Sequence, residues 1–305
     1  MSSALSGGAS REGAFIDMLR ALARDPAARG LADDAAVIEP GAGDSPLALV
    51  ATHDMMVEGV HFLPEQDPAD VAWKLVATNL SDLAAKGAQP VGVLLGYMLG
   101  TDDARFVDGL AEVLAAHDVP LLGGDTVAGG PPRSLGLTAL GRATHRPVPS
   151  RSGAQVGDGL FVTGQLGAAM LGCEALQRGE NDAAATRAYR RPQPRIAEGI
   201  ALAPLATAMM DISDGLLLDA WRMAQASGVS LAIDSASAPI AAPESRRLDA
   251  LRWGDDYELL FTAPADTPLP VPVTRIGTVE PRGFAALFLD GEPIVNEAGL
   301  GYEHG

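Results

Sequence analysis

The chain has 305 residues, a formal net charge of −17 and 47% hydrophobic residues, enough for two packed globular domains. Lys74 and Lys86 are its only lysines, and the excess of acid argues against a nucleic-acid partner, because phosphate backbones are held by clustered Lys and Arg. No stretch approaches the roughly 18 uninterrupted apolar residues of a membrane span, so neither nucleic acid nor membrane is an expected partner.

The start, MSSALSGGAS, lacks the basic and apolar runs of a signal peptide. It reads as a flexible tail over 1–9, with a cytoplasmic location expected. Ser10 is a candidate cap for a first helix, with Phe15, Ile16, Leu19 and Leu22 on one face. Strand-like AAVI (35–38) and LALVAT (47–52) follow. Asp67-Pro68 is a helix start with Pro at the first helical position, and that helix runs through VAWKLVATNLSDLAAK to Gly87. VGVLLGYML (91–99) is too continuously apolar to predict an exposed strand. A helix over 103–117 and a strand at VPLLGGD complete the first half.

THRPVPSRSGAQVGD (144–158) interrupts the pattern with prolines and glycines, which places a domain boundary between 147 and 148. Beyond it, LFVTG reads as a strand and 167–178 as a helix. Cys173 lies within this helix as the only cysteine, which excludes an intrachain disulfide framework and predicts a buried, inert thiol. Residues 195–209 read as helical, LLLDAWRMAQASG as a helix, and VSLAID, DYELLFT, VTRIGTVE and AALFLDGEPI as strands, the last folded at an Asp290-Gly291 hairpin turn. Strands and helices are mixed in both halves, so the class is α/β (α+β).

Short acidic motifs recur along the whole chain: ADD (32–34), THDMMVEGVHF, NLSDLAAKG, GGDT (123–126), MDISDGL and GDDYELLF. Carboxylates are hard oxygen ligands, and Mg²⁺ commonly binds through one or two of them plus substrate phosphates. Each motif also has a plainer reading. Asp214 and Ser213 suit a helix N-cap as well as a metal and phosphate site. Asp82 on a helix has Lys86 four residues on as an ion-pair partner. Gly123, Gly124 and Asp125 fit either a turn or a backbone approached closely by a ligand. His61 is a phosphate or ring contact or a structural histidine, and Glu258 an outward strand residue. No phosphate-cradling G-x-x-x-x-G-K-[ST] loop is present, so phosphate chemistry here would be built on aspartates and metal.

Taken in order, VEGVHF, NLSDLAAKGAQP, GGDT, DISDGL and DYELLFT resemble the thiamine-monophosphate kinase family, in the superfamily of aminoimidazole-ribonucleotide synthetase and selenophosphate synthetase. The resemblance runs from about residue 10 to the closing GYEH. It implies a two-domain fold, with an N-terminal domain (1–147) that pairs with its twin in a homodimer barrel, and a C-terminal α/β domain (148–305). It implies transfer of phosphate from ATP to thiamine monophosphate in a cleft between the domains, with several Mg²⁺ ions. By the same resemblance, Asp33, Thr52, His53, Asp54, Asp82, Asp125, Asp211 and Asp214 would form the metal shell. Asp33, Asp125 and Asp214 would be catalytic among them. Gly124, Asp125, Arg151 and Ser213 would contact ATP, and His61, Asp255 and Tyr302 would contact thiamine monophosphate. The sequence departs from the family at Ala32, His53, Trp253 and Asp255. Another ATP-using member of the superfamily, or a non-catalytic Mg-nucleotide-binding homologue, are the alternatives.

Overall fold

The computed structural model describes residues 19–20, 23, 25–39, 47–180 and 182–303. The expected tail, the Ser10 cap and most of the first helix lie outside them, as does His304 of the closing motif.

In the N-terminal half, strands β1 (Ala36–Ile38), β2 (Leu49–Val57), β3 (Ala88–Met98), β4 (Leu121–Val127) and β5 (Ser134–Ala143) form one sheet. Its order is β1-β2-β5-β3-β4, and only the β3–β4 pair is parallel. Helix α1 (Pro68–Ala85) and helix α2 (Asp103–His117) pack on one face. Asp67 caps α1 by accepting from Ala69 N at 3.0 Å, with Pro68 behind it, as the sequence predicts. The other face is left uncovered by the described helices. There the expectation for 91–99 fails: Leu94 is exposed, as are Leu122 and Val127 on the neighbouring β4. The apolar run reflects a sheet apolar on both faces, only one of which is covered by the described helices.

The C-terminal half is built on a sheet of β6 (Asp158–Val162), β7 (Ala208–Asp211), β8 (Ser230–Ile233), β9 (Leu259–Pro264), β10 (Thr274–Glu280), β11 (Leu287–Leu289) and β12 (Glu292–Ile294), in the order β12-β11-β8-β10-β6-β9-β7. The β11–β12 hairpin turns at Asp290-Gly291, both at positive φ, as the Asp-Gly pair predicts. Helices α3 (Ala168–Gln177), α4 (Ala183–Arg190), α5 (Ile196–Leu202), α6 (Leu216–Ser227) and α7 (Arg247–Arg252) connect these strands. The stretch predicted helical over 195–209 is helical only at its start. It ends in β7, whose AMMD is buried throughout, and a short buried strand cannot be told from a buried helix by periodicity.

Helix α1 joins the halves. Every residue from Ala69 to Ala85 is buried, because α1 meets its own sheet on one side and α5 and β7 on the other. Gly199 of α5 makes that approach possible: a Cβ there would lie 2.0 Å from the Ala84 carbonyl oxygen. A strap from the C-terminal half, residues 189–192, fastens the N-terminal end of α1. Trp73 Nε1 donates to the Pro192 carbonyl at 3.0 Å, and Arg190 and Arg191 both pair with the buried Asp70.

Candidate active site

A cavity of about 780 Å³ lies between the halves. One end is acidic. The C-terminal part of β2 brings Asp54, the last turns of α1 bring Asp82, and the end of β7 with its following turn brings Asp211 and Asp214. Asp82 accepts from the Thr52 hydroxyl, Ser81 Oγ donates to Asp211 Oδ2 at 2.6 Å, and Asn79 Oδ1 accepts from Asp54 N at 3.0 Å. The bland reading of Asp82 therefore fails: it is buried, and Lys86 pairs elsewhere. Burial, reinforced by Asp34 and Asp214, pushes Asp54 up to about 6. Burial, with Asp34 the leading charge, pushes Asp211 up to about 8. Asp82 is raised well above the usual carboxylate range by burial and then by Asp54 and Asp211. These carboxylates face one another at close quarters in a site short of positive charge.

Asp33 and Asp34 sit beside this group in the opposite condition. Lys86 Nζ donates to Asp33 Oδ1 at 2.6 Å and to Asp34 Oδ2 at 2.7 Å, and Arg29 and Arg151 pair with Asp33 and Asp34 respectively. Burial works to raise both carboxyls, but these cations outweigh it and hold them below the usual range.

The turn after β7 is shaped by a residue the sequence reading passed over. Asp219, wholly buried in α6, accepts from Ser213 N and Asp214 N, each at 3.1 Å. Gly215 holds the cap position of α6 at φ 113° with no side-chain cap bond, so the N-cap reading of Asp214 and Ser213 does not hold. Asp214 instead pairs with Arg222 and, with Ser213, faces the cavity.

The other end of the cavity is aromatic and acidic. Asp255 N donates to Ser213 O at 2.8 Å and Tyr302 N to Asp214 O at 2.9 Å, which sets Trp253, Asp255, Tyr257 and Tyr302 against the acidic turn. Asp255 is clamped: Lys74 Nζ donates to its Oδ2 at 2.8 Å and the Tyr257 hydroxyl to its Oδ1 at 2.8 Å. Lys74, itself 1% exposed, also donates to the His61 carbonyl at 2.9 Å and lies 3.9 Å above the Tyr189 ring. Its signal in the sequence is a lone cation inside the apolar run VAWKLVATNL. Cys173 is buried, as expected, in the wall of this end, where burial pushes its thiol up. Glu258 is not the outward residue expected. It is buried and held by Arg195, at 2.5 and 2.7 Å, and by the Thr163 hydroxyl.

The structure brings Asp54, Asp82, Asp211, Ser213 and Asp214 together with His61, Asp255 and Tyr302 around one cavity. His53 reaches its rim but is exposed, with Nδ1 2.9 Å from the Thr138 hydroxyl. Gly124 and Asp125 stand apart. In register, Asp125 pairs with Gly96, Gly96 with Gly136, and Gly136 with Met55. Asp125 is thus three strand spacings from the Asp54 strand, roughly 14 Å. A Cβ at Gly124 would fall 2.0 Å from the Leu95 carbonyl oxygen, so the neighbouring strand itself requires glycine there.

Residues 32–143 match the model of the AIR synthase related protein N-terminal domain, and 155–288 that of the C-terminal domain. A thiamine-monophosphate kinase of Caulobacter vibrioides is 40% identical over 94% of this chain and 89% of its own length. The Escherichia coli enzyme of that name is 38% identical over 90% and 91%. This chain belongs to the thiamine-monophosphate kinase family. Among solved structures, AaThiL complexed with AMPPCP and TMP superposes with a TM-score of 0.83 at 29% identity, covering 95% of this chain and 97% of that one. The thiamine-monophosphate kinase of Stenotrophomonas maltophilia gives 0.74 at 35% identity, covering 93% and 98%. The hydrogenase maturation protein HypE shares the fold at 17–21% identity. As a thiamine-monophosphate kinase family member, the chain has the expected two-domain, mixed α/β architecture. No described helix is long and apolar enough to cross a membrane.

Proposed function

We propose that this chain transfers the γ-phosphoryl group of ATP to the phosphate of thiamine monophosphate, giving thiamine diphosphate, the last step in forming that compound. The observation that carries the reading is the shared cavity: an acidic end suited to phosphates with their metal ions, and an aromatic, acidic end suited to a flat cationic ring system. Its volume, about 780 Å³, is within the range of small-molecule sites.

The acidic end fits Mg²⁺ by its chemistry. Asp54, Asp82 and Asp211 are raised by burial first and by neighbouring carboxylates second, and have no ion-pair partner among the described residues. No three metal-ligating side chains converge there on one point among those residues. Such carboxylates complete a Mg²⁺ shell with phosphate and water, as that ion prefers. Asp214 joins them by releasing Arg222, which is 28% exposed. Bound Mg²⁺ would screen the repulsion between two anionic reactants. Ser213 and Arg151 take the nucleotide. His61, Asp255 and Tyr302 take thiamine monophosphate, with the clamped Asp255 carboxylate supplying the negative charge its cationic ring calls for. The acceptor phosphate needs no general base, since its second pKa is about 6.

The face of the first sheet that the described helices leave uncovered supports a homodimer. Met55, Leu94, Leu122 and Val127 are exposed there, and an apolar face of this kind marks an association surface. Pairing it with a twin would also cover Gly124 and Asp125. We place the domain boundary after residue 147, and the reaction in the cytoplasm, where ATP is at hand.

The deciding experiment is ADP release from Mg-ATP with and without thiamine monophosphate, with the product identified by mass. Thiamine diphosphate is expected to form in step with ADP; ADP release indifferent to thiamine monophosphate would overturn the reading.

A further inference from the structure

Lys86 follows the last turn of α1, where the helix meets β7 and the segment 148–151. Its side chain is wholly buried, so its ammonium group has given up water and must be balanced within the protein. The balance comes from Asp33 and Asp34, at 2.6 and 2.7 Å, with the Met209 carbonyl at 3.5 Å. The remaining carboxylate oxygens are also taken, Asp33 Oδ2 by Arg29 and Asp34 Oδ1 by Arg151. Asp33 Oδ1 accepts in addition from Asp34 N and Arg151 N, each at 3.1 Å. The two side chains are 2% and 5% exposed, and neither residue lines the cavity.

Asp54, Asp82 and Asp211 differ in both respects: they line the cavity and face each other rather than a basic side chain. A divalent ion arriving at Asp33 would have to displace a cation. Arg29, at 20% exposure, has a route to solvent, but Lys86, at 0%, has none. Expelling it would strand an unpaired ammonium group in the interior, and removing one partner from a buried pair is strongly destabilising.

We infer that Lys86 is a fixed internal cation for the Asp33–Asp34 pair, so that divalent ions load only on the Asp54, Asp82 and Asp211 side of the cleft. The inference rests on the reading of the cleft as a metal–nucleotide site. It removes Asp33 from the metal shell that the family resemblance implies and makes it, with Asp34, part of the lock that ties the loop after residue 31 to α1 and to the segment entering the second domain.

Mn²⁺ is the probe, with the β,γ-methylene analogue of ATP. Bound ions are counted by electron paramagnetic resonance in the unaltered chain and in Lys86→Met, and located by anomalous scattering from crystals of each. Expected are Mn²⁺ peaks beside Asp54, Asp82 and Asp211 in the unaltered chain, none between Asp33 and Asp34, and one more ion per chain in Lys86→Met, seated on that pair. A peak between Asp33 and Asp34 in the unaltered chain, or an unchanged ion count in a folded Lys86→Met, overturns the inference. Should the variant not fold, the map of the unaltered chain decides alone. An unaltered chain that binds no Mn²⁺ with the nucleotide analogue removes the cleft reading itself, and the inference with it.

Discussion

Asp211 ties the acidic end of the cleft to the rest of the molecule, since its Oδ2 accepts from Ser81 of α1 while burial pushes it up to about 8. Asp211→Asn keeps the shape and the Ser81 bond but removes charge. It is expected to lower kcat on the order of 100-fold or more and to reduce the rise in Tm that Mg²⁺ produces, measured by steady-state kinetics and calorimetry. The sign of the pH effect follows from the raised values. Asp54 and Asp211 hold protons in the fold that the unfolded chain has released above about pH 4, so metal-free stability falls as pH rises from there through about 8. Mg²⁺ offsets that loss, and the gap in Tm between Mg²⁺ and chelator should widen with pH; a constant gap would remove the acidic trio as the metal's seat. At the other end, Lys74→Met unclamps Asp255. The expected result is a KM for thiamine monophosphate raised about 10–100-fold, the value of a charged hydrogen bond, with kcat much less affected. Equal losses in both would make Lys74 a structural residue only. The aspartates were legible in the sequence because Asp beside Gly and Ser is a local pattern. Their partners were not. The Lys86–Asp33, Lys74–Asp255 and Ser81–Asp211 pairs span separations of 53, 181 and 130 residues, which no local pattern records.

Elements were read best where a helix or strand carries its own punctuation. Asp67-Pro68 starts α1, the helix predicted over 103–117 matches α2, and Asp290-Gly291 closes the last hairpin. They were read worst where tertiary contacts decide. Strand β7 is buried without alternation, and β4 pairs at the sheet edge with every residue exposed, so neither shows its environment in its period. Helix α5 offers a sharp test of how elements meet. Gly199→Ala places a methyl group against the Ala84 carbonyl oxygen and should cost about 1–3 kcal/mol, seen as a lower Tm. No loss of stability would mean that α1 and α5 are less tightly apposed than described.

For the whole molecule, the expectation of two domains holds; chain length suggested it, and the family resemblance carried by the motif order implied the cleft between them. The exposed face of the first sheet was not legible, because a sheet's apolar residues look alike in sequence whether covered by a helix or by another chain. Leu94→Glu with Leu122→Glu should convert a dimer into a monomer in sedimentation velocity while leaving the far-ultraviolet circular dichroism unchanged. A monomer before substitution would count against the proposed twin.

Helix α1 has a consequence for how this protein can change over time. From Ala69 to Ala85 it has no outward side, so it lacks the positions at which most helices drift freely. A saturation-mutagenesis map should show an unbroken intolerant block there, without the three-to-four-residue ripple of an ordinary surface helix. New substrate preferences would then have to arise from the cleft's other walls, with α1 as the invariant axis about which they vary.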